Sequence, residues 1–514
     1  MISIPAFFST KLFTGLMTCA FLGWFFTVVF FALISFQLTP LNRRATMDSN
    51  YNVKRQKILH LPTQIFQCLR YWDISYFCRN MSKSINIVGG GFTGLTMAYY
   101  LSKAGWKVTV FEKDSSIGGL AGSFTVEGEN LEKFYHHWFT NDVHVLDLIK
   151  DLGCEDKVIQ RPIKNGMYYA NNFFKLSSPL DLLKFKALNL VNRIRLGFVV
   201  IAVRFVRDWK KLETITATNW LKKICGTQGY KVVWEPLLKG KFGRYAEDVS
   251  AVWFWNKLKL RGSSRGENGK EYLSYYKGGF ASLADSMKDE IIKNGGDILL
   301  NTEVREANTG QVITSNGDVY NADHVVLTTA LPIIANMLSK SADKAYLERI
   351  LKVKYIGNVC LTLELNRSLT DIYWLNVNDP DFPFVGLIEH TNFEPVGTYN
   401  GRHIVYLSKY LPTDEKLYSL SEEEFFDYAF PFIKRMFPDF ERSWVINYHV
   451  WKELYSQPLV TLNYSEIIPP FETPVPGVLI NTMAQIYPED RGTNYAVREG
   501  KKMALELIAG KYQH

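Results

Sequence analysis

The sequence has few cysteines, few histidines and no run of like charges, and each of these shortages excludes a class of protein. Its six cysteines lie far apart with no C-x-x-C pair, which argues against a disulfide framework or a structural zinc site and favours a reducing compartment. None of its nine histidines belongs to a cluster with metal-ligand spacing, so no metal is predicted. The net charge of +8 comes from basic residues scattered among acidic ones, so we expect no nucleic-acid partner. An anionic lipid or an anionic substrate remains compatible with this charge.

Residues 12–38 form a stretch of 27 residues without a charge. A helix needs about 20 residues to cross the hydrocarbon core of a membrane, and no clear small-residue cleavage site of a signal peptide follows the stretch. The positive-inside rule places the C-terminal part in the cytoplasm, because basic residues follow the stretch while only Lys11 and the amino terminus precede it. We therefore predict one N-terminal transmembrane helix, anchored in the inner or plasma membrane, with the catalytic part cytoplasmic.

The segment that starts at Met81 reads like the beginning of a complete soluble protein, with a start residue, a short polar lead and an apolar strand. Residues 39–80 show no sustained helical or strand period. They are either a linker lying against the membrane or sequence upstream of the natural start. If the chain starts at Met81, the protein is cytoplasmic.

A short apolar strand runs into a glycine-rich turn, and a pattern of helical apolar spacing follows the turn. Gly89 permits the tight turn, Gly91 lets the backbone approach a diphosphate, and Gly94 allows the helix to pack close to the strand. A second strand at 107–111 ends at Glu112, where an acid can accept hydrogen bonds from ribose hydroxyls. An acid at this position also disfavours NADP, because it would repel the 2′-phosphate.

Glu112 and the glycine doublet Gly118-Gly119 resemble the corresponding motif of the superfamily of FAD-dependent amine oxidases, protoporphyrinogen oxidases and phytoene desaturases. Three later segments resemble the same family in the same order: 278–284 its glycine-led helix, 295–304 the strand that meets the adenine, and 325–330 the strand that returns to the nucleotide sheet. The closing segment departs from the pattern, since Asn481 begins the part where a Gly-Asp pair is expected. The resemblance implies bound FAD.

The resemblance also implies a set of cofactor contacts and a fold class. The start of a helix near 492–495 resembles the element that the family aims at the flavin pyrimidine ring. The implied FAD-binding residues are Gly89, Gly91, Phe92, Thr93, Gly94, Glu112, Lys113, Gly118, Gly119, Leu120, Val304, Gly492, Thr493, Asn494 and Tyr495. We expect an α/β chain with a Rossmann-like FAD-binding domain (81–140, 271–330 and 474–514) and an inserted α+β substrate domain (141–270 and 331–473), after an anchor and linker at 1–80.

The substrate side offers several candidate residues. His136 and His137 follow the glycine doublet closely enough for one of them to face the flavin, although each is compatible with a structural role. Lys239 and Lys241 stand beside a proline-broken helix on what we interpret as a glycine-flanked turn, and cations there would suit a phosphate or carboxylate. The remaining candidates for the cavity are Arg261, Arg265 and His390. The segment 193–207 alternates arginines with apolar residues and is either a core helix or a second membrane-touching face.

Two reactions remain open. The first is hydride transfer from a C–N or C–C bond of an organic substrate, with non-covalent FAD, because no cysteine follows Cys360 to form a thioether link. A substrate other than an amine is expected, since Leu361 stands, in the register we prefer, where amine oxidases carry a lysine. The second is a redox-neutral sugar rearrangement, because segments 137–142, 176–180 and 234–243 also resemble UDP-galactopyranose mutase. Neither reading assigns a substrate or an oligomeric state.

Overall fold

The computed structural model describes residues 83–175, 185, 187–261 and 271–512. The strands in these ranges are, in chain order, β1 (Ser84–Val88), β2 (Lys107–Phe111), β3 (Ser123–Val126), β4 (Glu129–Glu132), β5 (Trp138–Phe139), β6 (Val158–Ile163), β7 (Asn165–Tyr169), β8 (Asn172–Lys175), β9 (Glu271–Tyr276), β10 (Asp297–Leu299), β11 (Val304–Asn308), β12 (Gln311–Thr314), β13 (Val319–Asn321), β14 (His324–Leu327), β15 (Tyr355–Leu365), β16 (Trp374–Val377), β17 (Gly386–Glu389), β18 (His403–Leu411), β19 (Val445–Pro458) and β20 (Val478–Ile480).

The α-helices of the same ranges connect these strands. They are α1 (Phe92–Lys103), α2 (Val143–Asp151), α3 (Leu190–Ala202), α4 (Ala217–Gly229), α5 (Glu235–Phe242), α6 (Ala251–Arg261), α7 (Gly279–Lys293), α8 (Leu331–Met337), α9 (Lys344–Ile350), α10 (Lys416–Ser419), α11 (Glu422–Met436), α12 (Tyr464–Ile467) and α13 (Thr493–Ile508).

The first sheet is parallel, and its strands come from the segments that the sequence pattern assigns to the nucleotide fold. Its strand order is β10-β2-β1-β14-β20, and each pair of neighbours is parallel. The central strands β1 and β14 are buried along almost their whole length, as expected for a parallel sheet covered on both faces. Helix α1 follows β1 directly and packs against α7 and α13. This arrangement is the doubly wound α/β fold that the glycine motif predicted.

The second sheet is mixed and is built from residues between 165 and 458. Its strand order is β19-β15-β18-β17-β16-β7-β8, with β16 and β7 parallel and the other neighbours antiparallel. Alternate residues of β15 point to opposite faces. Val359 and Leu361 pack in a cluster with α11, whereas Cys360 packs in the cluster that contains the parallel sheet. The second sheet therefore turns one face toward the nucleotide fold.

A small third sheet joins the two predicted domains, because β6 pairs with β9 and β9 pairs with β5. The division into FAD-binding and substrate domains stays a prediction. The predicted transmembrane stretch at 12–38 and the candidate Arg265 lie outside the described residues. Within those residues, no helix is both long and apolar enough to cross a membrane.

Candidate active site

The glycine turn after β1 lets β1 and α1 approach each other closely, because glycine has no side chain. Gly89 has a φ of +117°, and a Cβ at Gly94 would lie 2.1 Å from the carbonyl oxygen of Gly89. Gly91 is the N-cap of α1 and no side chain caps the helix. The first amides of α1 are therefore available to an anion at the positive end of the helix. This is the geometry that a diphosphate requires.

Glu112 lies against this turn at the end of β2. Its Oε2 accepts a hydrogen bond from the amide of Gly90 at 2.8 Å, and its Oε1 accepts one from the amide of Asp114 at 3.0 Å. Burial raises the pKa of the Glu112 carboxyl, although both hydrogen bonds act in the opposite direction. A carboxylate has about four lone-pair sites, so two remain for ribose hydroxyls. The position fits the role that the sequence pattern assigns to Glu112.

The glycine doublet packs on the same turn. The Gly118 amide donates to the Gly90 carbonyl at 2.9 Å, and a Cβ at Gly119 would lie 3.1 Å from Cα of Gly91. Both glycines have positive φ. Any side chain here would fill the narrow space between the two loops, which suits a cofactor backbone lying against bare peptide. Of the neighbouring candidates, Lys113 is exposed and Leu120 is half-buried.

Val304 begins β11 close to the same strand end, since the amide of Thr302 donates to the Glu112 carbonyl at 2.8 Å. The candidates Phe92 and Thr93 form the first turn of α1. A Cβ at Gly500 in α13 would lie 2.5 Å from the Thr93 carbonyl oxygen, so α1 and α13 cross in close contact. The middle of α13 therefore packs against the first turn of α1, next to the glycine turn.

The first turn of α13 is held by hydrogen bonds from the opposite side of the site. Trp138 Nε1 donates to Thr493 Oγ1 at 2.7 Å, and the amide of Val145 donates to Asn494 Oδ1 at 3.1 Å. Gly492 is the N-cap, with extended backbone and no side-chain cap. The free amides at this end can stabilise negative charge on a ligand. Tyr495 lies beside Arg498, 4.9 Å from ring centroid to guanidinium carbon.

Asp490 anchors the segment that leads into α13, a role that the sequence did not reveal. Its carboxylate accepts hydrogen bonds from Trp253 Nε1 at 2.8 Å and Gln457 Nε2 at 3.0 Å, and Lys257 Nζ lies 2.6 Å away. Burial raises the pKa of Asp490, but the charges of Lys257 and other nearby cations outweigh burial and hold it well below its usual range. Asp490 therefore stays ionised.

Arg491 and Lys241 both contact the ring of Tyr410. Arg491 Nη2 donates to Tyr410 OH at 3.0 Å, and Lys241 Nζ lies 4.6 Å from the centroid of the same ring. Arg491 Nε is buried and has no hydrogen-bond partner among residues 83–175, 187–261 and 271–512. A buried donor without a partner is costly, so this atom is suited to an acceptor on a ligand. The Asp-Arg pair directly before Gly492 is the sequence signal that could have found this site.

The two adjacent histidines point in different directions. His136 Nδ1 donates to the Phe134 carbonyl at 2.6 Å, and burial, aided by the charge of Arg491, lowers its pKa to about 4. His137 Nδ1 is 3.1 Å from the hydroxyl of Tyr373. His136 therefore lies within the electrostatic reach of Arg491, and it is neutral at physiological pH.

The two candidate lysines are separated, and the predicted turn that carries them is wrong. Helix α5 runs through both, because its proline occupies the first turn, where a missing amide costs nothing. Lys239 is exposed and lies 2.9 Å from Glu235, one turn earlier. Of the two, Lys241 is the one that contacts Tyr410, the partner of Arg491. Arg261 is the last residue of α6.

His390 lies in a buried tyrosine cluster. Its Nε2 is 3.0 Å from the hydroxyl of Tyr399, and burial lowers its pKa to about 3. Next to it, Glu132 accepts hydrogen bonds from the Phe280 amide at 2.7 Å and the Tyr275 hydroxyl at 2.8 Å. Burial raises the pKa of Glu132 to about 7 despite these bonds. Glu132 thereby caps the N-terminus of α7, directly before the histidine loop, and sequence reasoning missed it.

The register predicted for Leu361 is wrong, because Leu361 packs toward α11 and faces away from the site. On strands β15 and β18, the face of the sheet that turns toward the nucleotide fold carries no lysine. The side chains at the central positions of that face are Asn358, Cys360, Thr362, Tyr406, Ser408 and Tyr410.

Known proteins are similar to this chain in both sequence and fold. The flavin containing amine oxidoreductase family matches residues 92–505. Coproporphyrinogen III oxidase of Staphylococcus aureus is 22% identical over 50% of this chain and 62% of its own length, so the chain spans less than two thirds of that relative. An oxidoreductase from Methanosarcina mazei has a TM-score of 0.65 at 19% identity, covering 82% of this chain and 100% of its own. Reduced UDP-galactopyranose mutase has a TM-score of 0.65 at 13% identity, covering 84% and 97%.

The residues around the glycine turn fit the cofactor that this match implies. Bare glycine backbone meets the ends of β1 and α1, an acid stands at the end of β2, and the uncapped start of α13 completes the site. When FAD is bound, the glycine turn would hold the diphosphate, Glu112 the adenosine ribose and the start of α13 the flavin ring. The chain belongs to the flavin containing amine oxidoreductase family, and it is an oxidoreductase whose cofactor is FAD.

Proposed function

We propose that the protein removes a hydride from a C–N or C–C bond of a small organic substrate that carries an anionic group. When bound, FAD supplies the hydride acceptor. The observation that carries the proposal is the buried, unpartnered Nε of Arg491 beside Lys241 and Tyr410. A carboxylate or phosphate can accept from this nitrogen, and Lys241 adds a point charge nearby.

The other residues of the site support a reaction in which the substrate is held in one orientation. Tyr410 holds Arg491 in place, and Asp490 holds the segment that carries it, so the guanidinium meets the substrate without reorganising. His136 adds no charge, because its pKa is lowered to about 4 and its Nδ1 proton is committed to the Phe134 carbonyl. A substrate that is not an amine is supported by the lack of lysine on the facing positions of β15 and β18. Non-covalent attachment of FAD is supported by the lack of any cysteine after Cys360.

The test is anaerobic mixing of the flavin-loaded protein with reduced tetrapyrroles bearing carboxylates, with neutral polyenes and with amines. We expect the visible absorbance of oxidised flavin to disappear with an anionic compound and to return with oxygen. Bleaching by amines or neutral polyenes alone would contradict the anionic substrate. Bleaching by none of the compounds would leave the hydride transfer itself unsupported.

A second candidate is a redox-neutral rearrangement of a nucleotide sugar. It is favoured by the fold shared with UDP-galactopyranose mutase and by the suitability of Arg491 and Lys241 for a diphosphate. Conversion of UDP-galactopyranose by pre-reduced protein only, without net change in flavin absorbance, would replace the first proposal with this one.

We also propose that the uncharged stretch at 12–38 anchors the protein in a membrane, with the flavin-binding part in the cytoplasm. Alkaline extraction of membranes tests this in cells that express the full chain or the chain from Met81. We expect the full chain to stay in the pellet and the shorter chain to be released. Release of both would remove the anchor.

A further inference from the structure

Helix α3 and the turn after it expose a patch of large apolar side chains. The exposed fractions are 75% for Phe205, 65% for Val191, 63% for Phe198, 60% for Leu190 and 46% for Ile194. The first four are the most exposed large hydrophobic residues of the part of the chain that the structure describes. A contiguous exposed apolar patch on a folded protein marks an interaction site.

This patch is not the face by which α3 packs on the protein. At about 100° per residue, Leu190, Ile194 and Phe198 share one side of the helix, together with Val191. Leu196 and Val199 lie on the opposite side, buried in the main core cluster. The helix is thus apolar on two faces, of which folding uses only one.

Basic residues border the exposed stripe. The helical angle places Arg193 on one edge and Arg195 on the other, and Arg195 is exposed. Between residues 190 and 212 there are six basic residues and one acidic residue, Asp208. The basic residues are Arg193, Arg195, Arg204, Arg207, Lys210 and Lys211. An apolar stripe with basic edges is the pattern of a helix that lies in a membrane interface.

We propose that this patch, Leu190 to Phe205, docks on the surface of an anionic lipid bilayer. The apolar side chains enter the boundary between headgroups and acyl chains, and the arginines stay at the level of the lipid phosphates. A second copy of the chain is a poorer occupant, because a symmetric interface would set the same basic residues against each other. The proposal concerns the folded part of the chain and is independent of the reaction and of the stretch at 12–38.

Hydrogen exchange of the full chain in reconstituted vesicles tests the docking. The vesicles contain either phosphatidylcholine alone or equal parts of phosphatidylcholine and phosphatidylglycerol, so that any anchor is present in both. We expect amides in 190–207 to exchange about tenfold more slowly in the anionic vesicles. The double change Phe198→Glu and Phe205→Glu abolishes this slowing while flavin absorbance is retained.

The matched control is the double change Ile446→Glu and Leu454→Glu, which alters two β19 side chains that are 49% and 48% exposed. This variant keeps the slowing at 190–207. Three results would overturn the proposal: equal exchange in both kinds of vesicle, unchanged slowing in the Phe198→Glu/Phe205→Glu variant, or a slowing in lipid-free buffer that grows with protein concentration. The last result would instead assign the patch to contact between copies.

Discussion

The glycine turn after β1 and the charged cluster before α13 border the same site but are built by opposite means. The turn can form only because its glycines have no side chains, since a single Cβ at Gly94 would overlap the Gly89 carbonyl. The cluster functions through side chains that come from α5, α6, β18, β19 and the segment before α13. The cofactor end of the site therefore depends on local backbone shape, whereas the proposed substrate end depends on the balance of buried charge.

The substitution Gly94→Ala tests the glycine turn and has the largest expected effect. The new methyl group would lie 2.1 Å from backbone oxygen, so α1 must move away from β1. We expect the affinity for flavin to fall about a thousandfold, which corresponds to about 4 kcal/mol, so that the purified protein retains almost no flavin. Gly397→Ala is the control, because no atom lies within 4 Å of its Cβ and its φ is not positive. Full flavin content in Gly94→Ala would contradict the close-approach argument.

The substitution Asp490→Asn tests the charged half. Loss of the buried carboxylate leaves Lys257 without its partner, and we expect the free energy of unfolding to drop by about 3 kcal/mol at neutral pH. The folded pKa of Asp490 lies below its unfolded value of about 3.9. Its contribution is therefore present above about pH 4 and is lost as the pH falls below that value.

Urea unfolding at several pH values measures this difference. The wild type should lose stability on acidification more steeply than Asp490→Asn, with both compared against Asp414→Asn. Asp414 forms an exposed ion pair with Arg244 at 2.9 Å, and its loss should cost much less than the loss of Asp490, because water screens both charges. Equal losses at positions 490 and 414 would argue against a special role for the cluster.

The pKa of Glu132, at the N-terminus of α7, is shifted in the opposite direction from that of Asp490. Its folded pKa of about 7 exceeds the unfolded value of about 4.3, so its stabilising contribution is complete below about pH 4 and is lost as the pH rises through 7. The wild type should therefore lose roughly 2 kcal/mol relative to Glu132→Gln between about pH 5 and pH 8. If urea unfolding gives the same pH dependence of stability for both proteins, the hydrogen bonds to Glu132 compensate for its burial and the prediction is wrong.

The smallest expected effect separates the two lysines of α5. Lys239→Met removes an exposed ion pair, so we expect a change within about 0.5 kcal/mol in stability and an unchanged KM. Lys241→Met should raise the KM for an anionic substrate about tenfold, with kcat less affected, because the charge acts on binding. An equal effect of both substitutions on KM would remove Lys241 from the substrate end.

The cofactor half could be predicted from sequence because its constraints act between near neighbours. Gly89, Gly94, Glu112 and the doublet at 118–119 form one pattern within about thirty residues, and the parallel sheet follows from it. The substrate half could not, since Arg491 contacts Tyr410 at a separation of 81 residues. No spacing rule connects such partners.

The errors on the substrate side have simple geometric causes. In a strand, a shift of one residue exchanges the two faces, which explains why Leu361 points away from the site while Cys360 faces it. In a helix, positions two apart lie on nearly opposite sides, which explains why Lys241 and Lys239 have different surroundings. Sequence alone could name candidate segments here and could not orient their side chains.

The close contact between Gly500 and Thr93 has a consequence for synthesis. These residues are about 400 positions apart in the chain, yet their helices must meet before the flavin site is complete. A ribosome adds about 5 to 20 residues per second, so α1 waits roughly 20 to 80 seconds for its partner to emerge. The site is thus complete only after α13 has emerged, and until then the surface of α1 that α13 covers stays exposed.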